Sequence, residues 1–170
     1  MPKLLIVRHA IAQDRDEALK QRLPDAERPL TGKGKKRMRR AAAGLRQVVG
    51  PLGHILSSPL RRAQQTAAIL QGEYPDAPLT LSDTLSPGQS VNALVTTLAK
   101  TGNQGTLALI GHEPDLSRLT ATLLCGETSA AIQLKKGGAA LLAFTGRIGS
   151  GQGRLLWLLT PGQLRALGRR

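Results

Sequence analysis

Lys3-Leu4-Leu5-Ile6-Val7-Arg8-His9-Ala10 decides the reading of this chain. Leu4 to Val7 is an apolar run that reads as a short strand buried on both faces, as strands of a parallel sheet are. The run stops abruptly at Arg8 and His9. In an open α/β sheet, ligands bind at the carboxyl ends of the strands. A guanidinium and an imidazole delivered there by a rigid strand suit an anion; a solvated turn after a buried strand is the plainer alternative.

Composition narrows the choice. The chain has 170 residues, of which 41% are hydrophobic, enough for one domain over residues 1–170 with a real core. No apolar run reaches transmembrane length. The opening Met1-Pro2-Lys3 and its four-residue apolar run are too short for a secretory signal, so no membrane association is expected and the expected compartment is the cytoplasm. Cys125, the single cysteine, cannot form an internal disulfide and is expected on the apolar side of a helix end. Lys and Arg total 24 against 11 Asp and Glu, a net charge of +13, which points to an anionic partner. Aromatic residues make up 2% of the chain, too few for the stacking platforms of single-strand nucleic-acid binders.

Strand-like and helix-like periods alternate along the chain. Gln13 to Pro29 has no clear period and reads as a long loop with room for a short helical piece; loops of that length in a compact domain are usually functional or disordered. Thr31 caps a helix that starts near Gly34 and ends at Gly50-Pro51. Met38, Ala41, Ala42, Leu45, Val48 and Val49 share one face of it, and Lys35, Lys36, Arg37, Arg39, Arg40 and Arg46 cover much of the rest, as a solvated face would. A strand at Ile55-Leu56 ends in Ser57-Ser58, and a helix follows with Leu60, Ala63, Ala67 and Leu70 inside. Leu79 to Leu81 is a brief strand. Ser90 caps a helix through Val91, Leu94, Val95 and Leu98. Gly102 to Gly105 is a loop. Thr106 to Ile110 is a third buried strand ending in Gly111-His112, with Pro114 in the first turn of the next helix. Ala139 to Phe144 and Leu155 to Leu159 are two late strands joined by a flexible glycine-rich hairpin loop, and Thr160-Pro161 opens a last helix. This order predicts an α/β fold with a largely parallel sheet and an antiparallel edge among the late strands.

If the three early strands run parallel, Arg8-His9, Ser58-Pro59-Leu60-Arg61-Arg62 and Gly111-His112-Glu113 meet on one edge of the sheet. Two imidazoles and two or three guanidiniums would share a cleft, an arrangement that is costly unless an anion completes it. A phosphoryl group fits, because arginine grips its oxygens in a bidentate fork.

These segments resemble the histidine phosphatase superfamily, and within it the SixA-type phosphohistidine phosphatases. Val7-Arg8-His9-Ala10 is similar to the family's R-H-G signature, and Arg28-Pro29-Leu30-Thr31 with Gly34 to the segment leading into its first helix. Ser57 to Thr66 resembles its S-P-x-x-R-A-x-x-T segment, and Ile110-Gly111-His112-Glu113-Pro114 its second catalytic-histidine segment. The four lie in family order between residue 3 and about residue 120. The resemblance implies a phosphoglycerate mutase-like, three-layer α/β/α sandwich. It also implies roles: His9 as the nucleophile, Arg8 and Arg62 holding the phosphoryl oxygens, and His112 donating to the same group. Arg28 would reach in from the loop and Gly111 would contribute to substrate binding. Arg61 is expected on the helix surface. No metal or cofactor is implied, and His9, His54, His112 and Cys125 lack the spacing of a zinc site.

A histidine nucleophile must be neutral at one nitrogen. Neighbouring guanidiniums would keep it so, and a backbone carbonyl accepting from the other nitrogen would fix the tautomer. Two departures from the family pattern stand out. Ala10 replaces the signature glycine, which requires an ordinary backbone there. No carboxylate is placed where the larger esterases keep their general acid: Asp83 is expected to be structural, and Glu113 to favour a helix N-terminus. His54 is expected to be structural. Lys135-Lys136-Gly137-Gly138 either lines the cleft or forms a plain turn.

The expectation is therefore a metal-free phosphatase with an open cleft, little chain being left to build a lid. Its substrate would be a phosphohistidine on a phosphotransfer-type protein, reached through a phospho-His9 intermediate. The alternatives are a small-molecule phosphomonoesterase or pyrophosphatase, and a basic binding module on an inactive scaffold.

Overall fold

The computed structural model describes residues 1–100, 105–129 and 131–169. Most of the loop expected over Gly102 to Gly105 lies outside them. In chain order the elements are β1 (Lys3–Arg8), α1 (Arg15–Lys20), α2 (Gly32–Val48), β2 (Leu52–Ser57), α3 (Arg61–Glu73), β3 (Leu79–Leu81) and α4 (Val91–Lys100), then β4 (Thr106–Gly111), α5 (Asp115–Cys125), β5 (Ala139–Phe144), β6 (Gly153–Leu159) and α6 (Pro161–Leu167). Short 3₁₀ turns occupy Asp25–Glu27 and Asp83–Leu85.

The alternation of side chains along β1 builds the three layers. Leu5 and Val7 point into a core shared with Met38, Ala41 and Leu45 of α2, Ala63, Ala67 and Leu70 of α3, and Leu164 of α6. Leu4 and Ile6 point the other way, against Leu94 and Leu98 of α4 and Leu116, Leu119 and Leu123 of α5. All four β1 side chains are fully buried, so truncating one to alanine would cost about 2–5 kcal/mol.

The strand order is β3-β2-β4-β1-β5-β6. β3, β2, β4 and β1 pair in parallel. β5 is antiparallel to β1, and β6 is antiparallel to β5. The antiparallel edge expected among the late strands is the β5–β6 hairpin, whose outer strand β6 regains the direction of β1. Register settles where the strands end: Arg8 lies opposite Gly111, and Ser57 opposite Ile110. The three early strands thus finish together.

Thr31 caps α2 as expected, accepting from the Gly34 amide at 2.9 Å. Gly34 lets α2 start against the β1 loop, since a Cβ there would collide with the Ile11 carbonyl. Thr160 and Gln163 form a full capping box at α6. Three local expectations need correcting. Cys125 is exposed at the end of α5; two residues past buried Leu123, it lies roughly 200° around the helix, on the outer face. Pro114 precedes the first turn of α5, at the N-cap. The loop between β5 and β6 is tied down, with Ile148 buried and the Gly151 amide donating to Thr122 O at 2.9 Å. Among the described residues, no helix is long and apolar enough to cross a membrane.

Candidate active site

The joined strand ends open into a cleft of about 670 Å³ whose lining includes Arg8, His9, Arg28, Arg62 and His112. β1 delivers the first two, and the backbone around them is held from both sides. The Arg8 amide donates to Gly138 O at 3.1 Å and the His9 amide to Gly111 O at 3.1 Å; the Gly137 amide in turn donates to the carbonyls of Arg8 and His9. Gly137 makes this turn with φ 77°, which glycine adopts at no steric cost. The Lys135–Gly138 segment is therefore both a turn and a wall, since Lys136 lines the cleft.

His9 is buried, and its Nδ1 lies 2.7 Å from Ala10 O. A carbonyl only accepts, so Nδ1 carries the proton and Nε2 keeps its lone pair. Burial pushes the imidazole down to about 3, opposed by the Ala10 bond and assisted by His112, Arg62 and Arg8. The guanidiniums act in the direction expected from sequence, but burial is the larger cause, because β1 carries the ring into the molecule. Ala10 has no left-handed backbone, and its amide donates to Thr66 Oγ1 at 3.1 Å. Thr66 Oγ1 donates to Arg62 O at 2.7 Å, tying the loop after β1 to α3.

The His112 ring lies 5.1 Å from that of His9, tilted by 51°. Its Nε2 is 2.8 Å from Ser58 Oγ, which itself accepts from the Leu60 amide at 3.3 Å. When Ser58 donates to Nε2, the His112 proton sits on Nδ1, which is buried without a partner. Burial and Arg62 push His112 down to about 4, with Asp25 opposing. The sequence reading gave Ser58 no role, although it sits in the quoted S-P segment.

Arg62 is buried at the start of α3, and Arg61 beside it is exposed as expected. Arg62 Nη1 donates to Asp25 O at 2.8 Å and Nη2 to Asp25 Oδ2 at 3.1 Å. Arg28 Nε donates to Asp25 Oδ1 at 2.9 Å and Nη1 to Gln13 O at 2.6 Å. Arg8 Nη1 donates to Leu134 O at 2.8 Å. The Nε atoms of Arg8 and Arg62 are buried with no partner. Burial pushes Asp25 up, but Arg62 and Arg28 outweigh it and hold the carboxyl below its ordinary value. Asp25, like Ser58, is a residue that sequence reasoning missed; the available signal was a carboxylate three residues before Arg28.

Three further expectations change. The segment from Gln13 to Pro29 is ordered by α1 and the Asp25–Glu27 turn and supplies one wall of the cleft, so chain is available to cover the site. Gly111 does not line the cleft: it is paired into β4, and a Cβ on it would meet Leu116 at 3.0 Å. Glu113, expected only to favour a helix N-terminus, also lines the cleft: Ser117 Oγ donates to its Oε2 at 2.5 Å, and its Oε1 is buried unpartnered. Asp83 is exposed and outside the cleft. His54 bonds Thr80 across the sheet at 2.8 Å. Among the described residues, no group of three or more His, Cys, Asp or Glu could hold a metal ion.

Comparison with known proteins agrees with this fold. An uncharacterised protein of Picosynechococcus sp. is 34% identical over 161 residues, covering 93% of this chain and 95% of that one. The protein histidine phosphatase SixA complexed with tungstate has the same fold, with a TM-score of 0.79 and 24% identity over 95% of this chain and 99% of that one. The α-ribazole phosphatase of Shigella flexneri follows at 0.74 and 16%, over 94% and 96%. The phosphoserine phosphatase of Entamoeba histolytica follows at 0.68 and 18%, over 96% and 100%. The family profile of the histidine phosphatase superfamily (branch 1) matches residues 4–86, which include His9, Arg28 and Arg62, and the chain belongs to this superfamily.

Proposed function

We propose that residues 1–170 form one metal-independent, SixA-type phosphatase domain that removes the phosphoryl group from a protein phosphohistidine in the cytoplasm. One observation carries the reading. Three buried donors without partners, Arg8 Nε, Arg62 Nε and His112 Nδ1, belong to side chains that line the cleft with His9. Buried donors are left unsatisfied at a cost of about 1–3 kcal/mol each, and one tetrahedral anion with several acceptor oxygens relieves all three.

The lone pair of His9 Nε2 attacks phosphorus, and the P–N bond of the substrate breaks with its electron pair leaving on the substrate imidazole. That imidazole departs neutral when its distal nitrogen is already protonated. Water then attacks phospho-His9, the P–N bond to Nε2 breaks, a proton passes to solvent, and phosphate leaves. Arginines and His112 stabilise the charge on the transferring oxygens, the main requirement of phosphoryl transfer. A protein substrate is supported by α2, whose exposed Lys33, Lys36, Arg37, Arg39 and Arg40 suit an acidic surface. A nucleic acid is not: Asp14, Asp16, Glu17, Asp25 and Glu113 line the same cleft and repel a polyanion. The test is rapid quench with labelled phosphohistidine protein. Acid-labile phosphate accumulates on wild type and is absent from His9→Ala, which keeps its fold; full turnover by His9→Ala refutes the mechanism.

Glu113 favours a second reading, a small-molecule phosphomonoesterase, because alkoxide leaving groups need a proton donor. kcat/KM across leaving groups of graded basicity decides between them. The phosphohistidine reading expects Glu113→Gln to change phosphohistidine turnover by less than about threefold. A wild type that is flat across alkyl esters and becomes steep in Glu113→Gln establishes the ester reading instead.

A further inference from the structure

We propose that Asp25 is a positioning residue that aims Arg62 and Arg28 at the transferring phosphoryl group, a role that rests on reading the cleft as a phosphoryl-transfer site. A guanidinium offers two bidentate edges, an end formed by Nη1 and Nη2 and a side formed by Nε and Nη2. Asp25 takes the whole end of Arg62, through its backbone carbonyl at 2.8 Å and its Oδ2 at 3.1 Å. What remains is the side edge, whose Nε is buried and unpartnered. The same carboxylate takes Arg28 Nε on its other oxygen at 2.9 Å, and Gln13 O takes Arg28 Nη1, so Nη2 remains. One side chain therefore sets the spacing of two like charges that come from α3 and from the segment after β1.

Asp25 is not a stand-in for the substrate waiting to be displaced. Half of its hold on Arg62 is a main-chain carbonyl in the Asp25–Glu27 turn, which cannot swing away without unwinding that turn. Its benefit falls on the transition state. As phosphorus passes from tetrahedral to trigonal bipyramidal, the equatorial oxygens move, and donors fixed in advance match the new positions without reorganising. Ground-state phosphate, which tolerates looser arginines, gains less.

Binding of vanadate and of inorganic phosphate tests this without relying on turnover. Wild type, Asp25→Ala, Asp25→Asn, Asp25→Glu and His9→Ala are titrated by calorimetry. Vanadate is expected to bind Asp25→Ala about tenfold to a hundredfold more weakly than wild type, with phosphate weakened by less than about threefold. Asp25→Glu, which keeps a carboxylate, recovers part of the loss. Should Asp25→Ala fail to fold, Asp25→Asn, which keeps one acceptor oxygen and loses the charge, carries the same comparison. Equal losses for both ligands reduce Asp25 to a scaffold and overturn the proposal. Tighter binding of both ligands makes Asp25 a competitor of the substrate and also overturns it. Vanadate binding that is the same in His9→Ala and wild type, or absent from wild type, removes the phosphoryl-transfer reading itself and the proposal with it.

Discussion

Lowering the pH should destabilise this protein through its two buried imidazoles. Burial pushes His9 down to about 3 and His112 to about 4, from 6.5 in the unfolded chain. Both folded values lie below the unfolded one. The unfolded state therefore takes up protons first as pH falls through 6.5, and stability drops with it. At about pH 5 an unfolded imidazole is almost wholly protonated while the native ones are mostly neutral, a difference of about 2 kcal/mol for each ring and about 4 kcal/mol together. That is a large share of the roughly 5–15 kcal/mol available to a domain. Asp14 and Asp25, held below their ordinary values in the native state, add their own loss only nearer the unfolded carboxyl range, around pH 4. The measurement is urea denaturation at about pH 7.5 and about pH 5, on wild type and on the His9→Gln/His112→Gln pair. Wild type should lose about 4 kcal/mol with an unchanged m-value, and the double variant should lose little of it. Wild-type stability that stays flat over this window, or a His9 NMR titration centred near 6.5, would refute the burial argument. In the proposed mechanism the same depression has a catalytic side: His9 would keep its lone pair in mildly acidic solution, where an ordinary imidazole is protonated.

Two other outcomes follow from the charge layout. Exhaustive chelation should leave activity intact, since Arg8, Arg28, Arg62 and His112 supply the positive charge; activity lost to EDTA and restored by a divalent ion would contradict the metal-free mechanism. Reversing Lys36, Arg37 and Arg40 to Glu should lower kcat/KM for an acidic phosphorylated protein about tenfold at low salt and less at high salt. A small phosphoramidate should be unaffected, and equal losses on both would locate the defect in the fold or the pocket.

The architecture was legible because it rests on period and punctuation. Leu4 to Val7 reads as a strand buried on both sides, Thr31 and Thr160 have cap chemistry, and the polar pairs at three strand ends pointed to a shared edge if those strands ran parallel. The site was less legible wherever a residue works through another. Nothing in the spacing of Asp25 says that it meets Arg62, which lies 37 positions along the chain; that contact exists only because β1, β2 and β4 stop level and bring α3 under the segment after β1. Ser58 acts on His112 for the same reason. Cys125 failed on two residues of helical phase, and Gly111 because its motif position marks the wall behind the cleft and not its surface.

Net charge misled most about the cleft itself. A chain of +13 suggests a strongly positive site, yet Arg8, Arg15, Arg28, Arg62 and Lys136 share the cleft lining with five carboxylates. Much of the excess is displayed elsewhere, on α2, which carries several lysines and arginines and no carboxylate. This division suits the proposed chemistry. One phosphoryl group needs a few aimed donors, and surplus positive charge around them would bind phosphate, the product, and slow its release. Carboxylates such as Asp25 limit that excess while keeping the guanidiniums aligned. On the proposed reading, exposed cations on α2 would act at longer range, raising the encounter rate with an acidic protein in a way that fades with salt. A site that must release an anion after each turnover does better with its attraction on the surface and its alignment inside.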